Sequence, residues 1–515
     1  MSSRLVIKDA VRQLTWRIIS ALFGFITIRI MTPYLGPLRY GDYSTILKYF
    51  AIWTALADLW LYVLAVKQMG AIKEASKDPN HTELKTIYWK FVGTRIIIMS
   101  VIYAAALIIA YLLPAYTSNP YLTRGIPFGM IFSASFMFAG IQQLPLQIFR
   151  RMEQLSITLI TARLSQIIIL VPVVYIFFKN INFDGSSLSI LAFCLILFSV
   201  VASALWQNRE IHRRAKKILP LKIKFDRAFT KNIVRTNRQY GVSYYLSSFH
   251  TLIVLLFLWR FFPTSSGHDA AGIRALALSL IEILLIIPSA LGNSLLHKIS
   301  SYSLFDKRKS IWNLMTMMVR IGGIVAMNFR IFSDRIIRVV SGKWFLWTFS
   351  TLASRWSNQI LPFLWVILRR SFIKQVYNYL FVAVDKQNVL LPINLFWVLI
   401  GIPLWIFMIP KYGLLGWVIT QSSIEFLFMI WAIRTGYRKK VQPSFSLVRL
   451  SKLLWILLIT TIVWYFVTTH RQINMYMFFV VAIVLNAAMI LCSLPMIKKV
   501  AKGLTVEEVA APAID

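Results

Sequence analysis

The sequence predicts an all-α integral membrane protein of about 14 transmembrane helices, arranged as two parallel six-helix halves plus two C-terminal helices. Three observations carry that expectation. Of 515 residues, 58% are hydrophobic and the mean hydropathy is +0.67, above the roughly half-apolar composition of soluble domains. The apolar residues gather into continuous runs of about 20, the length of helix that crosses a bilayer. Lys and Arg number 56 against 19 Asp and Glu, and they crowd into alternate connections.

The first half, residues 1–206, holds spans at about 14–31, 44–66, 87–113, 126–148, 157–178 and 188–206. The second, residues 240–435, holds spans at about 240–261, 273–296, 311–331, 346–368, 390–409 and 414–433. Two further spans, about 452–468 and 475–496, fall within residues 436–496, and residues 497–515 form a polar cytoplasmic tail. In lipid every backbone polar group needs an internal partner, and runs this long and continuously apolar meet that need as helices. Corresponding ends of a six-and-six division lie on the same membrane side, as in repeats related by an axis along the membrane normal.

Charge sets the orientation. With both termini in the cytoplasm of an inner-membrane protein, most loop cations lie inside, as the positive-inside rule requires. Residues 207–239 form a basic cytoplasmic linker with eleven Lys and Arg. The segment carries no nucleic-acid recognition motif, so anionic membrane lipid is its expected partner and nucleic acid is not. The leader "MSSRLVIKDAVRQ" runs straight into the first span without a cleavage-site pattern. Cys194 and Cys492 both fall within spans, which leaves neither a disulfide framework nor a cysteine metal site.

The outer connections are all short, and their acids Asp42, Asp184, Asp269 and Asp334 are far apart. No paired carboxylates, Gly-rich phosphate loop, Ser/His/Asp spacing or metal-binding helix is present. No catalytic or metal-ligating residue and no cofactor is therefore expected, and the chain reads as a non-enzyme. A membrane-embedded glycan-processing enzyme is the least favoured alternative.

Polar residues inside the spans carry more information. Arg17, Ser20, Gly24 and Thr27 recur at helical spacing in span one, and Ala51, Ala55, Asp58 and Tyr62 in span two. Span seven repeats the pattern with Tyr240, Ser243, Ser247 and Thr251, and span eight with Ser279, Glu282, Ser289 and Asn293. Each stripe alone also fits tight helix packing. Four stripes at corresponding places, two with a carboxylate near midspan, favour one shared hydrated cavity, because an acid facing lipid is costly. Arg17, Arg29, Lys48 and Arg274 are the candidate cargo-binding cations, and Asp58 and Glu282 the candidate coupling or gating acids. Arg95, Arg163, Arg320 and Arg355 are also deep, with Glu425 a candidate pairing partner.

The stretch "TPYLGPLRYGDYS" (32–44) reads as an outer turn joining two cavity helices. It resembles the Leu-Gly-Pro-x-x-Tyr-Gly-x-Tyr-Ser turn of polysaccharide flippases in the multidrug/oligosaccharidyl-lipid/polysaccharide (MOP) exporter superfamily. Further segments match in order: "ALADLWLYVLAVKQMG" (55–70), "QIFRRMEQLSITLI" (147–160), "LALSLIEILLIIPSALGNSLL" (276–296) and "IPKYGLLGWVITQSSIEF" (409–426). The resemblance implies a V-shaped bundle whose halves rock to expose a central basic cavity to each side in turn. Its implied cargo is a polyprenyl-pyrophosphate-linked oligosaccharide, a lipid-linked glycan moved from the inner to the outer leaflet for cell-surface polysaccharide synthesis. A glycan polymerase or glycosyltransferases are the implied protein partners. A coupling ion, proton or sodium, stays open, as does a multidrug or cation-coupled exporter of the same superfamily. The chain departs from the family pattern at Trp60, Arg274, His297, Trp397, Trp405 and Trp417.

Overall fold

The computed structural model describes residues 3–58, 61–75, 81–149, 151–235, 265–285 and 389–438, with a few isolated positions between them. The expected spans at 311–331, 346–368, 452–468 and 475–496, most of 240–261, the later part of 273–296 and the tail lie outside the described residues.

The described chain is helical: α1 (Ser3–Asp58), α2 (Leu61–Ala75), α3 (Thr82–Leu112), the short α4 (Pro114–Thr117), α5 (Pro120–Gln142), α6 (Leu144–Ile148) and α7 (Met152–Pro172). A π-helical turn, Val173–Phe177, prolongs α7; α8 (Ser187–Ala215), α9 (Ser265–Leu284) and α10 (Leu390–Arg438) follow. Six of these stretches are long and apolar enough to cross a membrane.

Two of the six are folded back on a glycine. A straight helix over Ile19–Asp58, 40 residues, would be about 60 Å long, twice the hydrocarbon thickness. It breaks at Gly36, whose φ of 66° and ψ of 175° lie outside the helical region. Only a residue without a Cβ takes such a backbone freely, and Pro37 then begins the second arm, where its missing N–H costs nothing. The expected turn over 32–44 is thus helix on both sides of a one-residue break. Gly413 (φ 55°, ψ −134°) divides α10 in the same way.

The second arm of α1 runs antiparallel to α3. Tyr49 Oη donates to the carbonyl of Ala106 at 2.7 Å, the hydroxyls of Thr54 and Tyr103 lie 2.6 Å apart, and Asp58 reaches Arg95. At the Gly36 end a polar cluster ties the arms to two connections. Arg39 donates to Asp42 at 2.9 Å and to the carbonyl of Phe183 at 3.1 Å, while its guanidinium sits 3.8 Å from the Tyr121 ring centroid. Asn119 donates to the other Asp42 oxygen at 3.0 Å, so this fully buried acid has partners on both oxygens. At the opposite end α8 runs on past residue 206 to Ala215, and the chain after it folds back onto the foot of α3.

Apolar side chains gain little by leaving lipid for one another, so packing distance and polar contacts hold such a bundle together. The largest shared core joins α1, α3, α5, α7, α8, α9 and α10, with Tyr49, Phe50, Tyr121, Phe193, Trp397, Trp405 and Trp417 among its buried rings. Trp397 and Trp405 meet edge to face at 5.7 Å. Both are core packing residues.

Candidate functional site

The site is the seam where α1 meets α9, two helices far apart in the sequence. Backbones approach closely there. A Cβ added to Gly272 would lie 2.0 Å from the Pro37 carbonyl oxygen and 3.0 Å from the Gly41 nitrogen, so glycine alone allows the contact just past the Gly36 break.

Polar side chains continue the seam away from that contact. Tyr40 and Tyr43, one turn apart on α1, stack with ring centroids 5.8 Å apart. The Tyr40 hydroxyl is hydrogen-bonded to Ser279, and Tyr43 lies close enough to Arg163 of α7 for the guanidinium charge to act on its phenol. Arg163 donates to Gln166 at 3.1 Å. Farther along, Lys48 Nζ of α1 bridges to Glu282 Oε1 of α9 at 2.5 Å; the lysine is one-quarter and the glutamate about half exposed. Serine and glutamate at 279 and 282 are one turn apart, so the polar stripe expected on this span faces α1 over that turn.

Arg274 behaves differently from the other cations. Although it precedes Glu282 on the same helix, no ion pair joins them among the described residues. Its side chain is only 3% exposed, and its guanidinium lies 5.0 Å from the ring centroid of Trp417 on α10. The expected outer-mouth arginine is therefore a buried one. Arg274 and Trp417 are two of the departures from the family pattern, and the fold stacks one on the other. A planar cation on an aromatic face is held by the ring quadrupole, and the attraction grows as water is excluded.

Asp58, at the end of α1, pairs with α3. Its carboxylate lies 2.7 Å from Arg95, a guanidinium only 5% exposed that also contacts Met137 sulfur at 3.3 Å. Burying one of these charges without the other would be costly, so the pair accounts for both deep residues. Arg29 is exposed on the first arm of α1. Arg17 lies on that arm, with its side chain outside the described residues. Glu425 accepts from Gln421 one turn earlier at 2.9 Å.

Of the six sequence candidates the structure thus joins Lys48 with Glu282, gives Asp58 and Arg274 separate partners, and leaves Arg29 at the surface. Sequence reading noted Arg163 and Arg95 as deep charges without assigning them. Tyr40 and Tyr43 passed as turn residues, although their spacing of three within a helical frame was a usable signal. The seam offers cations, phenols and a serine hydroxyl in one line with a single acid, chemistry suited to holding an anionic, hydroxyl-rich group. No group of metal-ligating side chains occurs among the described residues.

Residues 6–287 match the family described as polysaccharide biosynthesis protein. Among solved structures, the fold is similar to the lipid II flippase MurJ in an inward closed conformation, with a TM-score of 0.64 and 13% identity over 95% of this chain and 98% of that one. It is also similar to a multidrug resistance MATE family transporter of the MOP superfamily in an inward-facing conformation, at 0.60 and 12% over 84% and 99% of the respective chains. A third likeness is to a MOP superfamily transporter from Pyrococcus furiosus, at 0.54 and 12% over 84% and 96%. No curated protein matches by sequence. At these identities the structural likenesses establish a shared fold.

Proposed function

The chain belongs to the polysaccharide biosynthesis protein family, and from that premise we propose that it is a flippase moving a polyprenyl-pyrophosphate-linked oligosaccharide from the inner to the outer leaflet. It is a multi-pass membrane protein with the fold of MOP superfamily transporters. The observation that carries the proposal is the Lys48–Glu282 bridge, set in a line of cations and hydroxyls between the two halves. A pyrophosphate and its sugars require a wet, basic passage, whereas the polyprenyl chain stays in lipid. Arginine and lysine supply the phosphate contacts, Arg163 by its planar fork and Lys48 as a point charge.

In this reading the halves rock about the α1–α9 seam. With the N-terminus in the cytoplasm, the Gly36 end faces outward, and the Gly272 contact seals it. Cargo enters from the inner side. Its phosphates compete with Glu282 for Lys48, which loosens the seam at the moment the headgroup is seated. No net chemical change is required. Arg163 and Lys48 favour anionic cargo over the cationic drugs of an exporter.

Depletion of the protein tests the assignment. In a strain without a parallel flippase, the lipid-linked oligosaccharide is expected to accumulate with its headgroup on the cytoplasmic side. Unchanged sidedness would overturn it. Exchange of the pair, Lys48→Glu with Glu282→Lys, restores the bridge but moves the cation to α9; transport is expected to fall while the fold is kept.

A further inference from the structure

The stretch after α8 is a built platform, not a loose basic tether. Residues 220–226 lie extended along the foot of α3, stitched on by two hydrogen bonds: Trp89 Nε1 donates to the Pro220 carbonyl at 2.8 Å, and the Lys224 N–H donates to the Trp89 carbonyl at 3.3 Å. A Cβ on Gly93 would lie 2.4 Å from the Lys224 carbonyl oxygen, so the strap is seated against bare backbone. Asp226 then pairs with Lys90 at 2.7 Å and caps the following helix, residues 227–235, by accepting from the Phe229 N–H at 3.0 Å. Thr230 meets Thr94 at 2.8 Å, and Leu219 and Ile233 are buried beneath.

What this docking leaves outward is unusual for a linker. Ile223 is 66% and Phe225 51% exposed, interleaved with exposed Lys222 and Lys224. Lys216, Lys217, Arg227, Lys231 and Arg235 are exposed around them. The two acids of the platform are already occupied, Asp226 by Lys90 and Glu210 by Arg213 at 2.7 Å. The surface therefore presents uncompensated positive charge around two bare apolar side chains. Its depth is fixed by Trp89, whose carbonyl holds the strap at the end of a membrane-crossing helix, where amphipathic rings mark the headgroup level.

We propose that residues 220–235 form a docking surface for anionic phospholipid headgroups of the adjoining leaflet, with Ile223 and Phe225 inserted between the acyl chains and Lys222 and Lys224 on the phosphates. The inference goes beyond the flippase reading and stands without it. Apolar insertion and cation–phosphate attraction act together at such a site. The platform joins the two halves in sequence, so the leaflet's charge bears on how freely they move.

The test uses full-length protein carrying Ile223→Cys, with Cys194→Ala and Cys492→Ala, labelled with bimane and reconstituted in phosphatidylcholine vesicles containing a minor share of brominated lipid. Brominated phosphatidylglycerol is expected to quench the label more strongly than brominated phosphatidylcholine at the same share. Lys222→Gln and Lys224→Gln should each lower that preference about fivefold, from about 1 kcal/mol per cation at the surface. Because both lysines are exposed, unchanged thermal unfolding serves as the control for folding. Equal quenching by the two lipids overturns the headgroup assignment. Quenching by aqueous iodide alone overturns the docking surface altogether and leaves an acidic protein as its partner.

Discussion

Replacing Gly272 with alanine attacks the α1–α9 contact with a single methyl group. The new Cβ would stand 2.0 Å from the Pro37 carbonyl oxygen, and an ordinary contact of about 3.4 Å requires the two backbones to part by about 1.4 Å. Neither side can yield by rotating a side chain, because the atoms in the way belong to the Pro37 and Gly41 backbones. Overpacking of this kind costs about 1–3 kcal/mol, and the cost falls only on the conformation in which the seam is closed. The ratio of closed to open molecules should therefore drop by about 5- to 150-fold. Spin labels at Lys179→Cys and Lys411→Cys, both exposed and neither one part of the contact itself, report how far α7 and α10 separate when the seam opens. Pulsed dipolar measurements in vesicles should show a longer distance population in Gly272→Ala that is minor in the parent. A superimposable distribution, at equal folded fraction, would refute the seam as the moving contact.

Other residues give independent checks. Asp58→Asn strands the buried Arg95 guanidinium and should lower stability by about 3–5 kcal/mol, whereas Asp58→Leu with Arg95→Met should recover most of it; thermal unfolding in detergent decides. Arg274 and Trp417 should show a coupling of about 1–2 kcal/mol in a double-mutant cycle of leucine replacements, and Arg274→Lys should not restore stability, since an ammonium lacks the planar stacking face. The hydrogen bond from Lys90, helped by the Phe229 N–H, holds the Asp226 carboxyl below its usual range. A depressed folded value means that strap docking is fully present above the ordinary carboxylate range and is lost as pH falls through the folded value. Hydrogen exchange over residues 220–235, corrected for its intrinsic pH dependence, should rise only in strong acid, and Asp226→Asn should raise it at neutral pH.

Much of the scaffold was legible because length and hydropathy act locally. The run at 188–206 reappears within α8 and that at 87–113 in α3, all but its last residue, as lipid demands of any uninterrupted apolar stretch. Their ends were less legible. The stretch around Leu35, Gly36 and Pro37 carries every mark of a turn, yet the chain needs only Gly36 to break, and Arg39, Asp42 and Tyr43 return at once to helix. The site was legible as a set of polar spans but not as a set of pairs. Periodicity places Asp58 on a stripe and says nothing of the register against α3 that brings Arg95 beside it. Arg274 and Trp417 show the limit most clearly: each breaks a pattern alone, and only packing shows that one receives the other.

Transport by the purified protein is the most direct test of the flippase account. Vesicles carrying a polyprenyl-pyrophosphate-linked oligosaccharide in both leaflets are exposed to an impermeant enzyme that oxidises the terminal sugar. With the protein present the whole pool is predicted to become oxidised, and Lys48→Gln with Arg163→Gln should slow the inner-leaflet share without loss of protein. If oxidation stops at the outer-leaflet share, as in vesicles lacking the protein, the chain does not flip this cargo.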